Sequence, residues 1–143
     1  MMKLFKLWIV VPTTLAVMLT SAGLVHSQSV QTLVPGFTPD PMKLTGTSEV
    51  STEKACDKLG TTPSHVIELA QNFGYLRFSL QSDGQPTLVI QRSGQNKQCV
   101  PGSPGQDIEY PGYWEAGIYN IYIVDRAGSQ HPYTLSITQV RPL

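Results

Sequence analysis

The chain has 143 residues, which is enough for one domain with a single hydrophobic core and too few for two ordinary domains. Ten lysines and arginines balance ten aspartates and glutamates, so the formal charge at pH 7 is zero. A balanced charge with scattered signs excludes the electrostatic footprint of a protein that binds nucleic acid or an anionic membrane surface.

The N-terminus has the three-part pattern of a secretory signal peptide. Lys3 and Lys6 precede an almost uncharged apolar run over residues 7–25, and small and polar residues follow up to Ser27. We predict a signal peptide over residues 1–27 that is cleaved after Ser27, which gives an exported protein with no membrane attachment. The apolar run is also long enough to span a bilayer, so an uncleaved anchor is the alternative.

The segment after the predicted cleavage site differs from the rest of the chain. Residues 28–41 contain three prolines and show little periodicity, which is typical of an extended N-terminal arm. We therefore place the folded domain at residues 42–143.

From residue 42 onward, apolar and polar residues alternate with the period of two that is typical of β-strands. Asp83-Gly84 is a hairpin turn signal between two such runs. Seven to eight short strands with turn signals between them, and no long amphipathic helix, predict an all-β fold, an antiparallel β-sandwich of jelly-roll or immunoglobulin-like type. The alternation is clearest over residues 75–81, 86–92, 118–125 and 133–139.

The two cysteines are Cys56 and Cys99. An even pair in an exported chain predicts one disulfide bond. A CxxC motif is absent from the sequence, so we expect a structural role for the pair and no redox chemistry.

Residues 63–99 and 116–137, taken together, resemble the bacterial pre-peptidase C-terminal (PPC) domain family. The resemblance lies in the strand pattern of "LRFSLQSDGQPTLVI", the cysteine that follows it, the "AGIYNIYIV" strand and the closing "PYTLSI". It covers about residues 45–138. The resemblance implies a compact exported β-sandwich without catalytic activity, either appended to secreted peptidases or standing alone in envelope proteins.

The same resemblance bears on metal binding. In many relatives the loop after the cysteine carries acidic residues suited to calcium, but the matching positions here are Val100 and Pro101, which have no side-chain oxygen. Asp83 and Asp125 lie in turns, where an aspartate more often caps its own backbone. We expect no metal site and no cofactor.

Catalysis has little support in the sequence. A hydrolytic triad needs a base that an acid orients, and the exported chain offers only His65 and His131 for that role. Both lie close to prolines at the start of a strand or in a turn, and no GxSxG or HExxH motif is present. We expect no catalytic residues and no enzyme.

The cluster most suggestive of binding is aromatic, with Tyr110, Tyr113, Trp114, Tyr119 and Tyr122 in a short span. Exposed rings offer flat apolar faces on which a sugar can stack. We predict a ligand site at Tyr110, Tyr113 and Trp114, with the two tyrosines better exposed because a Gly/Pro loop holds them. The alternative is that Trp114 and Tyr119 fill the core.

The sequence thus predicts a non-catalytic exported binding or accessory module that acts as a monomer and contacts an envelope polysaccharide or a secreted protein partner. One alternative is a purely structural envelope component without a specific ligand. The other is a peptidase inhibitor or accessory domain. After export, the periplasm, the cell surface and the extracellular space are all compatible addresses.

Overall fold

The computed structural model describes residues 29–51, 56 and 62–143. The predicted signal peptide lies outside the described residues. The described part of the chain contains ten strands and no helix, hence no helix long and apolar enough to cross a membrane. The strands are β1 (Val30–Leu33), β2 (Met42–Thr47), β3 (Glu49–Val50), β4 (His65–Leu69), β5 (Phe73–Ser82), β6 (Pro86–Arg92), β7 (Lys97–Pro101), β8 (Ile108–Trp114), β9 (Gly117–Asp125) and β10 (Pro132–Thr138).

The strands form two sheets. Sheet A has the order β1-β4-β9-β6-β7, with β3 also paired to β9, and sheet B has the order β2-β10-β5-β8. All neighbouring strands are antiparallel except β1 with β4 and β3 with β9, which are parallel. The predicted all-β sandwich is confirmed, with ten strands among the described residues where the sequence predicted seven to eight.

The core forms where the predicted alternation brings apolar side chains of both sheets together. Leu76, Phe78 and Leu80 of β5 are fully buried, while the residues between them point outward. Leu135 and Ile137 of β10 follow the same pattern on the neighbouring strand. Because full burial of one such side chain stabilises the fold by about 1.5–3 kcal/mol, this alternation also fixes the register of the sheet.

The segment predicted as an N-terminal arm contributes to the sandwich. β1 pairs with β4 through Val30–Leu33, and the side chains of Leu33 and Phe37 lie in the core. The ring of Phe37 packs edge-on against Phe73 at 6.2 Å. These side chains are buried by contacts with strands that are distant in the sequence. The local sequence pattern does not predict such contacts.

The predicted disulfide joins Cys56 and Cys99, whose Cα atoms are 5.9 Å apart. Cys99 lies in β7 opposite Val89, so both side chains point to the outer face of sheet A. The segment Lys97–Pro101, which contains Cys99, forms the edge strand of sheet A. The disulfide therefore ties the edge of sheet A to a chain segment far away in sequence.

Candidate functional site

A groove of about 410 Å³ opens between β7 and β8, the edge strands of the two sheets on one side of the sandwich. All three predicted site residues line it. The full lining consists of Ile90, Arg92, Gln95, Asn96, Gln98, Tyr110, Pro111, Gly112, Tyr113, Trp114, Glu115 and Tyr119.

One wall of the groove is aromatic and comes from β8. Tyr113 is 60 % exposed, and Tyr110 is half-buried with its ring edge-on to Trp114 at 5.7 Å. Pro111 lies between them, and a proline without an N–H donor is tolerated here because β8 is an edge strand. The tyrosines thus present rings to solvent from a strand that the sheet holds in place.

Trp114 has a different role from the two tyrosines. It is only 6 % exposed, and its Nε1 donates a hydrogen bond to the carbonyl oxygen of Leu76 at 3.1 Å. Its ring packs against Phe78 at 4.5 Å and Tyr119 at 5.3 Å. Trp114 therefore belongs to the core and forms part of the groove floor, with its polar atom already engaged inside the protein.

Tyr119 supports the floor beside Trp114. Its hydroxyl donates to the carbonyl oxygen of Glu115 at 2.6 Å, and burial raises its pKa above the ordinary tyrosine value. The phenol is therefore neutral at physiological pH and is held in one orientation.

The opposite wall is formed by amide side chains around the β6–β7 hairpin. The turn closes with a bond from the Gln95 amide to the Arg92 carbonyl oxygen at 2.9 Å, and Gly94 supplies the positive φ of +78° that the turn requires. Gln95, Asn96 and Gln98 are exposed, and within the described residues their side-chain amides make no hydrogen bond. Each amide offers both a donor and an acceptor to a ligand.

The amide wall was missed by sequence reasoning. The stretch "RSGQNKQC" shows no alternation of apolar and polar residues that would predict a strand, and nothing in its composition places it beside the aromatic cluster. Its Ser-Gly pair is a hairpin signal, and reading it so would have placed Gln95, Asn96 and Gln98 on one turn and strand.

One ion pair closes the end of the groove. The Arg92 guanidinium donates to the Glu115 carboxylate and, at 2.9 Å, to the carbonyl oxygen of Ala116. Gly117 has a φ of +151°, and a Cβ at this position would lie 2.8 Å from Arg92 Nε. The arginine therefore depends on a glycine for its position.

The two histidines of the described chain lie in separate clusters. Tyr133 of sheet B and His65 of sheet A join the two sheets through a hydrogen bond of 2.8 Å between Oη and Nε2. Burial lowers the pKa of His65 and raises that of Tyr133.

The second histidine pairs with a buried aspartate. Asp125 Oδ2 lies 2.8 Å from His131 Nδ1, and Asp125 Oδ1 accepts hydrogen bonds from the Ala127 and Gln85 amides. Burial alone would raise the pKa of Asp125, but these amides and His131 outweigh that effect and hold its pKa below the usual range. Asp125 thus caps the turn after β9, the role that its position in the sequence predicts.

Among the described residues, no group of three or more His, Cys, Asp or Glu side chains is arranged to hold a metal ion. The described residues that line the groove include no His, Ser, Thr, Cys or Lys. What it offers is aromatic surface, neutral hydrogen-bonding groups and one internal ion pair.

Comparison with solved structures identifies the fold. The PPC domain of collagenase from Bacillus anthracis superposes with a TM-score of 0.50 at 15 % identity, over 78 % of this chain and 96 % of that one. PliG of Aeromonas hydrophila, a periplasmic inhibitor of g-type lysozyme, matches with a TM-score of 0.39 at 14 % identity, over 78 % of this chain and 97 % of that one. The sandwich is therefore PPC-like, as the sequence resemblance implied.

No family model matches the sequence. A relative is found in Synechococcus elongatus, where a protein described as uncharacterized is 34 % identical over 101 residues, which are 68 % of this chain and 75 % of the relative. At that identity and coverage, the chain belongs to the same family as the Synechococcus protein.

Proposed function

We propose that this protein is a non-catalytic exported module that binds a polysaccharide of the cell envelope in the groove between β7 and β8. The observation that carries the proposal is the pairing of two unlike walls across one groove. The exposed ring of Tyr113 faces the solvent on one side, and the free amides of Gln95, Asn96 and Gln98 lie on the other.

This combination suits a sugar ring. A pyranose has apolar C–H faces that stack on an aromatic ring, and hydroxyl groups at its edge that both donate and accept hydrogen bonds. The volume of about 410 Å³ lies within the range of small-molecule sites and accommodates a short stretch of a longer chain.

Export is part of the same proposal. The disulfide between Cys56 and Cys99 is typical of proteins that fold in an oxidising compartment, and the N-terminal pattern over residues 1–27 is that of a signal peptide. An exported module would meet its polysaccharide in the envelope or outside the cell.

The proposal is tested by co-sedimentation of the purified protein, with its disulfide formed, with the insoluble envelope fraction of the source cells. We expect saturable binding that soluble envelope polysaccharide competes away. Tyr113→Ala should weaken binding about tenfold, because it removes the most exposed ring of the groove. Val140→Ala is the matched control, since Val140 is 62 % exposed and lies outside the groove.

Two results would contradict the proposal. If the protein stays in the supernatant at every concentration, the envelope does not contain its ligand. If it sediments but Tyr113→Ala and Val140→Ala behave like the wild type, the contact lies elsewhere, and a protein partner or a structural role becomes the better account.

A further inference from the structure

Two of the described residues that line the groove carry a charged side chain. They are Arg92 and Glu115, and they bind each other. Arg92 makes its second hydrogen bond to the backbone at Ala116, so the guanidinium is engaged on two sides. The pair therefore supplies no net charge to a ligand.

The pairing of Arg92 with Glu115 affects which polysaccharides fit the groove. A carboxylate or sulfate group that approached Arg92 would meet the negative charge of Glu115 at close range. A neutral sugar does not meet this repulsion, because the other polar side chains among the described lining residues are the amides of Gln95, Asn96 and Gln98 and the tyrosine hydroxyls.

We propose that the groove selects neutral over acidic polysaccharides and that Glu115, by occupying Arg92, is the residue that determines this specificity. The inference rests on the proposed function, since it names the class of polysaccharide that the same groove takes. Glu115 acts here by excluding the wrong ligand, and Arg92 is an anion site that the protein itself keeps filled.

The test uses soluble envelope polysaccharide separated by anion exchange into a neutral pool and an acidic pool. Binding of the full exported protein to each pool is measured by affinity electrophoresis at low and high salt. We expect the wild type to bind the neutral pool at least tenfold more tightly than the acidic pool, with little effect of salt on neutral binding.

The Glu115→Gln variant tests the determinant directly. It frees Arg92, so binding to the acidic pool should rise about tenfold, the size expected of one charge-assisted hydrogen bond, and should fall again at high salt. Because Glu115 also lines the groove, the readout is the ratio of acidic to neutral binding within the same variant, which should rise about tenfold over that of the wild type. Adding Arg92→Gln to this variant should abolish the gain, and Glu115→Asp should keep the wild-type preference.

The outcomes separate the two proposals. If the wild type binds the acidic pool as tightly as the neutral one, or if Glu115→Gln gains no acidic binding while its melting temperature shows a folded protein, the specificity inference is wrong and the glycan function stands. If a melting curve shows that Glu115→Gln is unfolded, the specificity inference is judged from two other measurements. These are the preference of the wild type for the neutral pool and the same preference in Glu115→Asp. Binding of neither pool overturns both proposals.

Discussion

Trp114 and Tyr113 are neighbours in the sequence and line the same groove, but the structure gives them opposite roles. Trp114 is 6 % exposed and packs against three aromatic rings, whereas Tyr113 is 60 % exposed. Replacing Trp114 with Ala removes a buried indole and its bond to Leu76, so we expect the free energy of unfolding to fall by about 3–5 kcal/mol.

Trp114→Phe separates the contributions to that loss. Phe retains an aromatic ring but cannot donate to the Leu76 carbonyl, and it fills less of the space beside Phe78. One lost hydrogen bond costs about 0.5–1.5 kcal/mol and a weakened ring contact about as much, so we expect a total of about 1–3 kcal/mol. Tyr113→Ala should change stability by less than about 0.5 kcal/mol.

Urea unfolding followed by far-UV circular dichroism measures all three variants on the same scale. The free energies are comparable if the slopes with urea agree. The assignment of Trp114 to the core would be refuted if Trp114→Ala lost less than about 1 kcal/mol, or if Tyr113→Ala lost as much as Trp114→Ala.

Three further predictions test other parts of the fold. Replacing Cys99, its disulfide partner or both by Ser should lower the free energy of unfolding in urea by the same amount, about 4 kcal/mol. Each change breaks the same cross-link between residues 43 positions apart. Additive losses would show that the two cysteines act independently. Gly84→Ala places a Cβ against the Asp125 carboxylate and should cost about 1–3 kcal/mol in thermal unfolding, whereas Gly74→Ala, with open space around it, should cost less than about 1 kcal/mol. Burial lowers the pKa of His65 in the folded state, so the unfolded chain takes up the proton first, and stability should decline as the pH falls below about 6.5. His65→Gln should flatten that decline, and an unchanged pH profile would show that another group causes it.

The sheet architecture was predictable because its signal is local. Alternation over two residues in β5, β6, β9 and β10 reports which side of a sheet each side chain faces, whatever the partner strand is. The burial of Phe78 and Leu135 follows from that pattern alone. Parallel pairing of β1 with β4 was not predictable in this way, since it depends on strands more than thirty residues apart.

The candidate site was likewise only partly predictable from local sequence patterns. The aromatic cluster was visible as composition, and alternation along β8 already separates Tyr113 from Tyr110 and Trp114. The amide wall and the ion pair were not visible, because Arg92 and Glu115 are 23 positions apart and meet only when both sheets have formed. The aromatic wall was therefore predictable from the sequence, whereas the amide wall and the ion pair join it only through tertiary packing.

The most direct test of the central claim is an NMR titration of ¹⁵N-labelled protein with soluble envelope polysaccharide. The side-chain NH₂ groups of Gln95, Asn96 and Gln98 report on one wall of the groove, and the Tyr113 backbone amide reports on the other. We predict saturable shift changes concentrated on these four residues and absent from Val140. Shift changes concentrated on residues outside the groove lining, or no changes at saturating polysaccharide, would contradict the account.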